Sequence, residues 1–123
     1  MLDTDQILQH GLSLHQAGRL HEAQRVYQQV LAVDPNHSDC LHLLGVIAHQ
    51  DGHNQVAVDL IGKAIARNDR VADYHCNIGT ALQVLGRFRE AETHYQRAIS
   101  LEPEHEVANN RDPAIVDTIE ESG

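Results

Sequence analysis

Ten histidines and two cysteines are the residues of this 123-residue chain best suited to chemistry, and their spacing decides whether they perform any. His42 and His49 are seven residues apart. On a helix they share a face but lie about 10 Å apart along the axis, too far to hold one ion. His49 and His53 have the spacing of a helical metal pair, yet Gly52 stands between them where a helix is expected to end. Cys40 and Cys76 form no Cys-x-x-Cys pair, and two cysteines make no disulfide framework, so a reducing, cytoplasmic compartment is expected. No Gly-x-Ser-x-Gly, Walker-type loop or dinucleotide fingerprint occurs. The chain therefore reads as non-enzymatic, with no cofactor.

Composition narrows the partners. Eighteen acidic residues against nine basic ones give a formal charge of −9, which opposes binding to nucleic acid or to an anionic membrane surface. The opening Met1-Leu2-Asp3-Thr4-Asp5 is acidic and no 18-residue apolar run follows, so neither a secretion signal nor a membrane span is expected. With one Phe, three Tyr and no Trp, the core must be aliphatic. Lys63 is the only lysine among the nine basic residues, a bias that points to a bacterial source.

The elements that position these side chains follow from an internal period. Gly11, Gly45 and Gly79 lie 34 residues apart, as do Gly18, Gly52 and Gly86, and Ala23, Ala57 and Ala91. Pro35 and Pro103 are 68 apart, with Asp69 midway. A period in this range marks a stack of supersecondary units. A mid-helix glycine costs about 1 kcal/mol relative to Ala, so the first column signals a helix passing too close for a Cβ. The second column fits left-handed caps at the ends of first helices, and the proline column ends the second helices. Between them the apolar residues have helical spacing: Leu20, Ala23, Tyr27, Val30 and Leu31, then Phe88, Ala91, Tyr95, Ala98 and Ile99. The pattern predicts an all-α chain with helices near 4–17, 20–33, 38–51, 54–67, 72–85 and 88–101.

These residues resemble the tetratricopeptide repeat. One unit reads His75-x2-Ile78-Gly79-x2-Leu82, Ala91-x3-Tyr95 and Pro103, with His75 where an aromatic is usual. Another reads Leu41-x2-Leu44-Gly45-x2-Ala48 and Ala57-x3-Ile61, with Asp69 in the proline column. In the first unit Ile7 and Gly11 are in place and His10 replaces an aliphatic residue. The resemblance implies a right-handed superhelical α-α solenoid of three helix-turn-helix units, about 4–37, 38–71 and 72–105, within a domain spanning 1–105. Residues 106–123 are expected to form an incomplete fourth unit, a capping helix or a tail. Asp112-Pro113 interrupts that unit and would start a short helix carrying Ile115, Val116 and Ile119.

By the same resemblance the first helices line a concave groove, with Leu8, Leu12, His15, His42, Leu43, Val46, His49, Cys76, Asn77, Thr80 and Gln83 as contacts beside Asp5, Gln9, Asp39 and Asp73. Leu8, Leu12, Leu43 and Val46 make an apolar strip suited to an apolar segment of a protein or peptide partner. Relatives that clamp a C-terminal carboxylate use Lys, Arg and Asn. Here Leu8 and Leu12 replace the first Lys and Asn and Leu43 the next Asn, leaving Asn77 and Arg111, so chaperone tails are not expected. His15, His49 and Cys76 share the groove without the close ligand pairs of a zinc site, and no metal is expected. His10 and His75 are expected to be half-buried in the stack, and His21, His37, His53, His94 and His105 to be solvated. The principal expectation is an interaction scaffold. Two alternatives stand beside it: the substrate-recruiting N-terminal region of a larger glycosyltransferase or methyltransferase, resembling bacterial arrays before O-GlcNAc-transferase-like domains, and a homo-oligomer formed through uncapped ends or tail exchange.

Overall fold

The computed structural model describes residues 3–110, so the expectations for Arg111 and for the segment after Asp112-Pro113 lie outside the described residues. Within them the chain is helical: α1 (Thr4–Gln16), α2 (Leu20–Val33), α3 (Ser38–Gln50), α4 (Asn54–Arg67), α5 (Ala72–Val84), α6 (Phe88–Leu101) and α7 (Glu106–Asn109). No strand occurs among the described residues. Helices α1 and α2, α3 and α4, and α5 and α6 pair as hairpins that stack in chain order.

The helix ends follow from backbone chemistry. Helices α1, α3 and α5 each stop one residue before the predicted end, because Ala17, Asp51 and Leu85 serve as caps rather than as last helical residues. Gly18, Gly52 and Gly86 then take φ of 79°, 82° and 78°, a conformation in which a Cβ would clash. Their N–H groups bond back to His15, His49 and Gln83, and the following Arg19, His53 and Arg87 donate to Leu14, Ala48 and Leu82 at 2.8–2.9 Å. That pair of bonds is the Schellman arrangement, which satisfies carbonyls that a helix end otherwise leaves unpaired. The second helices end differently. Pro35 and Pro103 force Asp34 and Glu102 into extended backbone, and Asn68 adopts the same shape without a proline, its Oδ1 accepting from Arg70 N at 3.1 Å.

Helix starts bring a correction. Asp3 and Gln6 form a reciprocal capping box on α1. On α3 and α7 the cap is a histidine: His37 Nδ1 accepts from Cys40 N and His105 Nδ1 from Ala108 N, both at 3.2 Å. Both were expected to be solvated. An imidazole Nδ1 sits as far from its backbone as an Asn or Asp side-chain oxygen, so a neutral His can do the same work. His10, expected to be half-buried, is exposed, and His75 is buried, at 5% exposure. His94, also expected to be solvated, is half-buried because its ring lies against that of His75.

Packing gives the mid-helix glycines their reason. A Cβ on Gly11 would stand 2.5 Å from the Tyr27 ring, one on Gly45 2.5 Å from Ile61 Cγ1, and one on Gly79 2.9 Å from the Tyr95 ring. Each second helix thus presses a large side chain onto the glycine of its own hairpin. Two large apolar clusters run through the stack, with a small third one of Ala48, Ala57 and Ala81. One, with Leu8, Leu14, Tyr27, Val30, Cys40, Leu44 and Ile47, joins the first hairpin to α3. The other, with Leu41, Ile61, Tyr74, Ile78, Leu82 and Tyr95, joins the second hairpin to the third and takes in Ala108 of α7. No helix of the described residues is long and apolar enough to cross a membrane.

Candidate binding groove on the first-helix face

The first helices α1, α3 and α5 share a face, and polar side chains cross from each to the next with a constant offset of 35 residues. His15 Nε2 donates to Gln50 Oε1 at 3.0 Å, Tyr74 Oη donates to Asp39 Oδ1, and Asn77 Nδ2 donates to His42 Nε2 at 2.8 Å. After the third hairpin the same role falls to α7, where His105 Nε2 donates to Asp73 Oδ1 at 2.6 Å. These bonds hold consecutive first helices in register.

Within this face a cavity of about 300 Å³ is lined by Leu8, Gln9 and Leu12 of α1, Asp39, His42 and Leu43 of α3, and Val71, Asp73 and Tyr74 at the start of α5. Four of the predicted contacts, Leu8, Leu12, His42 and Leu43, come together there. Leu8 and His42 form its floor, being only 8% and 9% exposed. The Tyr74 ring lies against His42 with centroids 4.7 Å apart. Burial holds His42 below the ordinary histidine range, against the opposing pull of Asp73 and Asp39, with His15 adding to the depression. Its imidazole is therefore neutral, as accepting from Asn77 requires. Sequence reasoning did not single out Tyr74 or Val71. The signal for Tyr74 was an aromatic beside Asp73 in a chain with few aromatics.

The other predicted contacts lie elsewhere on these helices. Thr80 and Gln83 both accept from Tyr95 Oη, at 3.2 and 3.1 Å. His15 Nδ1 is 3.3 Å from Tyr27 Oη, and His49 Nδ1 donates to Asn54 Oδ1. The pattern has a cause: Tyr27 and Tyr95 present a hydroxyl to that register, whereas Ile61 does not, and His49 turns to Asn54 instead. Val46 is half-buried, outside the walls of this cavity. Cys76 lies beneath the surface at 1% exposure, and burial, then Asp73, pushes its thiol up to about 11. Among the described residues no three His, Cys, Asp or Glu side chains gather to hold an ion. The groove thus offers apolar area, two carboxylates and neutral hydrogen-bonding groups.

Besides a polar cavity of about 350 Å³ that Asp39 and Tyr74 also line, two larger clefts, of about 360 and 550 Å³, lie between α2 and α4 with residues of α3 in their walls. Leu31 and Leu60 line both, and Gln24, Gln28, Val56 and Lys63 are among their other walls.

Comparison with known proteins agrees with this fold. Family models described as tetratricopeptide repeat match residues 8–74 and 72–105. The chain is 29% identical over 85 residues to human tetratricopeptide repeat protein 7B, which covers 69% of this chain and about a tenth of that protein. Among solved structures, an O-GlcNAc transferase mutant of Thermobaculum terrenum superimposes with a TM-score of 0.81 at 28% identity, covering 83% of this chain and 20% of that one. The first tetratricopeptide domain of Spaghetti, bound to an HSP90 peptide, superimposes with a TM-score of 0.88 at 22% identity, covering 94% of this chain and 92% of that one. With its periodic glycines, its stacked hairpins and two family models spanning most of its length, the chain belongs to the tetratricopeptide repeat family.

Proposed function

We propose that this chain is a non-enzymatic scaffold that holds an apolar segment of a protein partner, as a peptide or a helix, on its first-helix face. The observation that carries this reading is the cavity bounded by Leu8, Leu12, Leu43, Val71 and Tyr74, where three successive hairpins contribute to one apolar surface edged by polar groups. The Spaghetti domain, of the same fold, is described with a bound peptide, which adds support at the level of fold.

Panning a displayed random-peptide library on the immobilised chain tests it. Enriched peptides should carry Leu, Ile or Phe and should lose binding to Leu43→Asp and Leu12→Asp variants whose circular dichroism is unchanged. Val56→Asp, in the cleft between α2 and α4, is the control. Binding that survives Leu43→Asp and disappears with Val56→Asp would move the site to the cleft between α2 and α4 and refute this placement.

A second reading is favoured by the Thermobaculum similarity: the chain as the repeat region of a larger enzyme, recruiting substrate for chemistry performed elsewhere. The native coding sequence beyond Gly123 decides it. A transferase domain there supports the reading, and an immediate stop codon removes it.

A further inference from the structure

Among the described residues the charge around this groove is one-sided. Helices α1, α3 and α5 have thirteen residues each and contain no Lys or Arg. Each has an aspartate at its second position, Asp5, Asp39 and Asp73, and two of these, Asp39 and Asp73, line the same cavity as the leucines. The basic residues among those described stand on the second helices and links: Arg19, Arg25, Lys63, Arg67, Arg70, Arg87, Arg89 and Arg97. Helix dipoles favour aspartate in a first turn and so account for part of the pattern. They equally favour Lys or Arg in a last turn, yet α1 and α3 place His15 and His49 there and α5 places no basic residue. The dipole therefore does not explain why these three helices carry no fixed positive charge.

Neither aspartate is neutralised by its partner. Tyr74 offers Asp39 a hydroxyl whose proton burial and the carboxylate itself hold in place, with its pKa raised. His105 must accept from Ala108 through Nδ1, so it reaches Asp73 as a neutral Nε2–H donor. Asp73 remains 66% exposed at the rim. Both carboxylates thus present negative charge beside apolar side chains, with no cation on their own helices to cancel it.

Resting on the groove reading above, we infer that the occupant is a cationic apolar segment, with leucine-like side chains over Leu8, Leu12 and Leu43 and an Arg or Lys against Asp39 and Asp73. An acidic segment would meet uncompensated carboxylates and is rejected. Arginine fits best, since its planar fork can pair with a carboxylate while its stem lies on the Tyr74 and Val71 side of the groove.

The same library panning provides the test, scored by composition. Enriched sequences should hold an excess of Arg and Lys next to apolar residues and a deficit of Asp and Glu. One enriched peptide is then titrated beside a twin with citrulline in place of arginine, at low and at high sodium chloride. The citrulline twin should bind roughly tenfold more weakly at low salt, and the gap should close at high salt. It should also shrink against Asp73→Asn, whose amide still accepts from His105. It should persist against Asp59→Asn, which removes the same net charge from α4. No enrichment over a blank surface would sink the groove reading itself. Enrichment of apolar peptides with no basic excess, or a citrulline gap that follows Asp59 as much as Asp73, leaves the groove standing and overturns the cationic occupant.

Discussion

Gly45→Ala and Gly62→Ala are the same chemical change in two helix interiors, and the structure assigns them opposite signs. Helix propensity favours both by about 1 kcal/mol. A methyl group on Gly62 would meet nothing within 4 Å, so that gain should appear almost intact. At Gly45 the new methyl would stand 2.5 Å from Ile61 Cγ1, 3.1 Å from Ile61 Cδ1 and 3.3 Å from the Ala57 carbonyl oxygen. Ile61 has no exposed surface and is β-branched on a helix, so its χ1 has almost no freedom to retreat, and the carbonyl belongs to the backbone of α4. Relief therefore means moving α4 off α3. Overpacking of this kind costs up to about 3 kcal/mol, and subtracting the propensity gain leaves Gly45→Ala destabilised by about 2 kcal/mol. The two variants should differ by about 3 kcal/mol, and because propensity cancels in that difference it isolates the close approach. Urea unfolding followed by circular dichroism, with thermal melts alongside, reads both. Each kcal/mol shifts the midpoint temperature of a domain this size by about 4–8 °C. Equal shifts for the two variants, with unchanged denaturant slopes, would refute the argument that the glycine column exists to admit the second helix.

Two further predictions concern titratable groups. His75 Nε2 donates to the Asp69 carbonyl at 2.8 Å, so its Nδ1 must accept, and His94 Nδ1 supplies the proton across 3.0 Å. The ring centroids are 5.3 Å apart, leaving only two ring half-widths along that line, so the rings point at one another. Burial, then His75, lowers the pKa of His94 against the opposing Glu90, and burial lowers that of His42. A histidine depressed in the folded state contributes stability above its unfolded pKa of about 6.5 that is lost as pH falls towards the folded value. Melting temperature should therefore fall between about pH 7.5 and pH 5, and less steeply in His94→Asn; a flat or rising profile would contradict it. Burial likewise pushes the Cys40 and Cys76 thiols up to about 12 and about 11. A thiol reagent at about pH 8 should label neither in the folded chain and both in denaturant, and fast native labelling of either would disprove their burial.

How much of this was legible in the sequence depends on whether a feature repeats. The glycine and alanine columns recur in every hairpin, and each recurrence reports the same backbone or packing constraint, so the helix ends were placed to within one residue. The caps made by His37 and His105 also recur 68 residues apart, but histidine is a rare cap, and propensity pointed to solvent instead. The Tyr74–Asp39, His42–Asn77 and His75–His94 pairs each occur once, between different elements, so no column in the sequence announces them. Register says which way a side chain leaves its helix and not how deep it ends. That is why Cys76 and Thr80, on the right helix for the groove, lie under it or tied to their own hairpin.

The bonds between first helices also fix the order in which the units can be strung. Each junction has its own pair: His15 with Gln50 between the first and second hairpins, His42 with Asn77 between the second and third, Asp73 with His105 after the third. If the third hairpin followed the first directly, Asn77 would face Leu8 instead of His42, and that bond would have no second partner. The units look interchangeable as folds, but their joints are keyed. Duplication or shuffling of a whole unit would have to rewrite a residue on each side of the new seam.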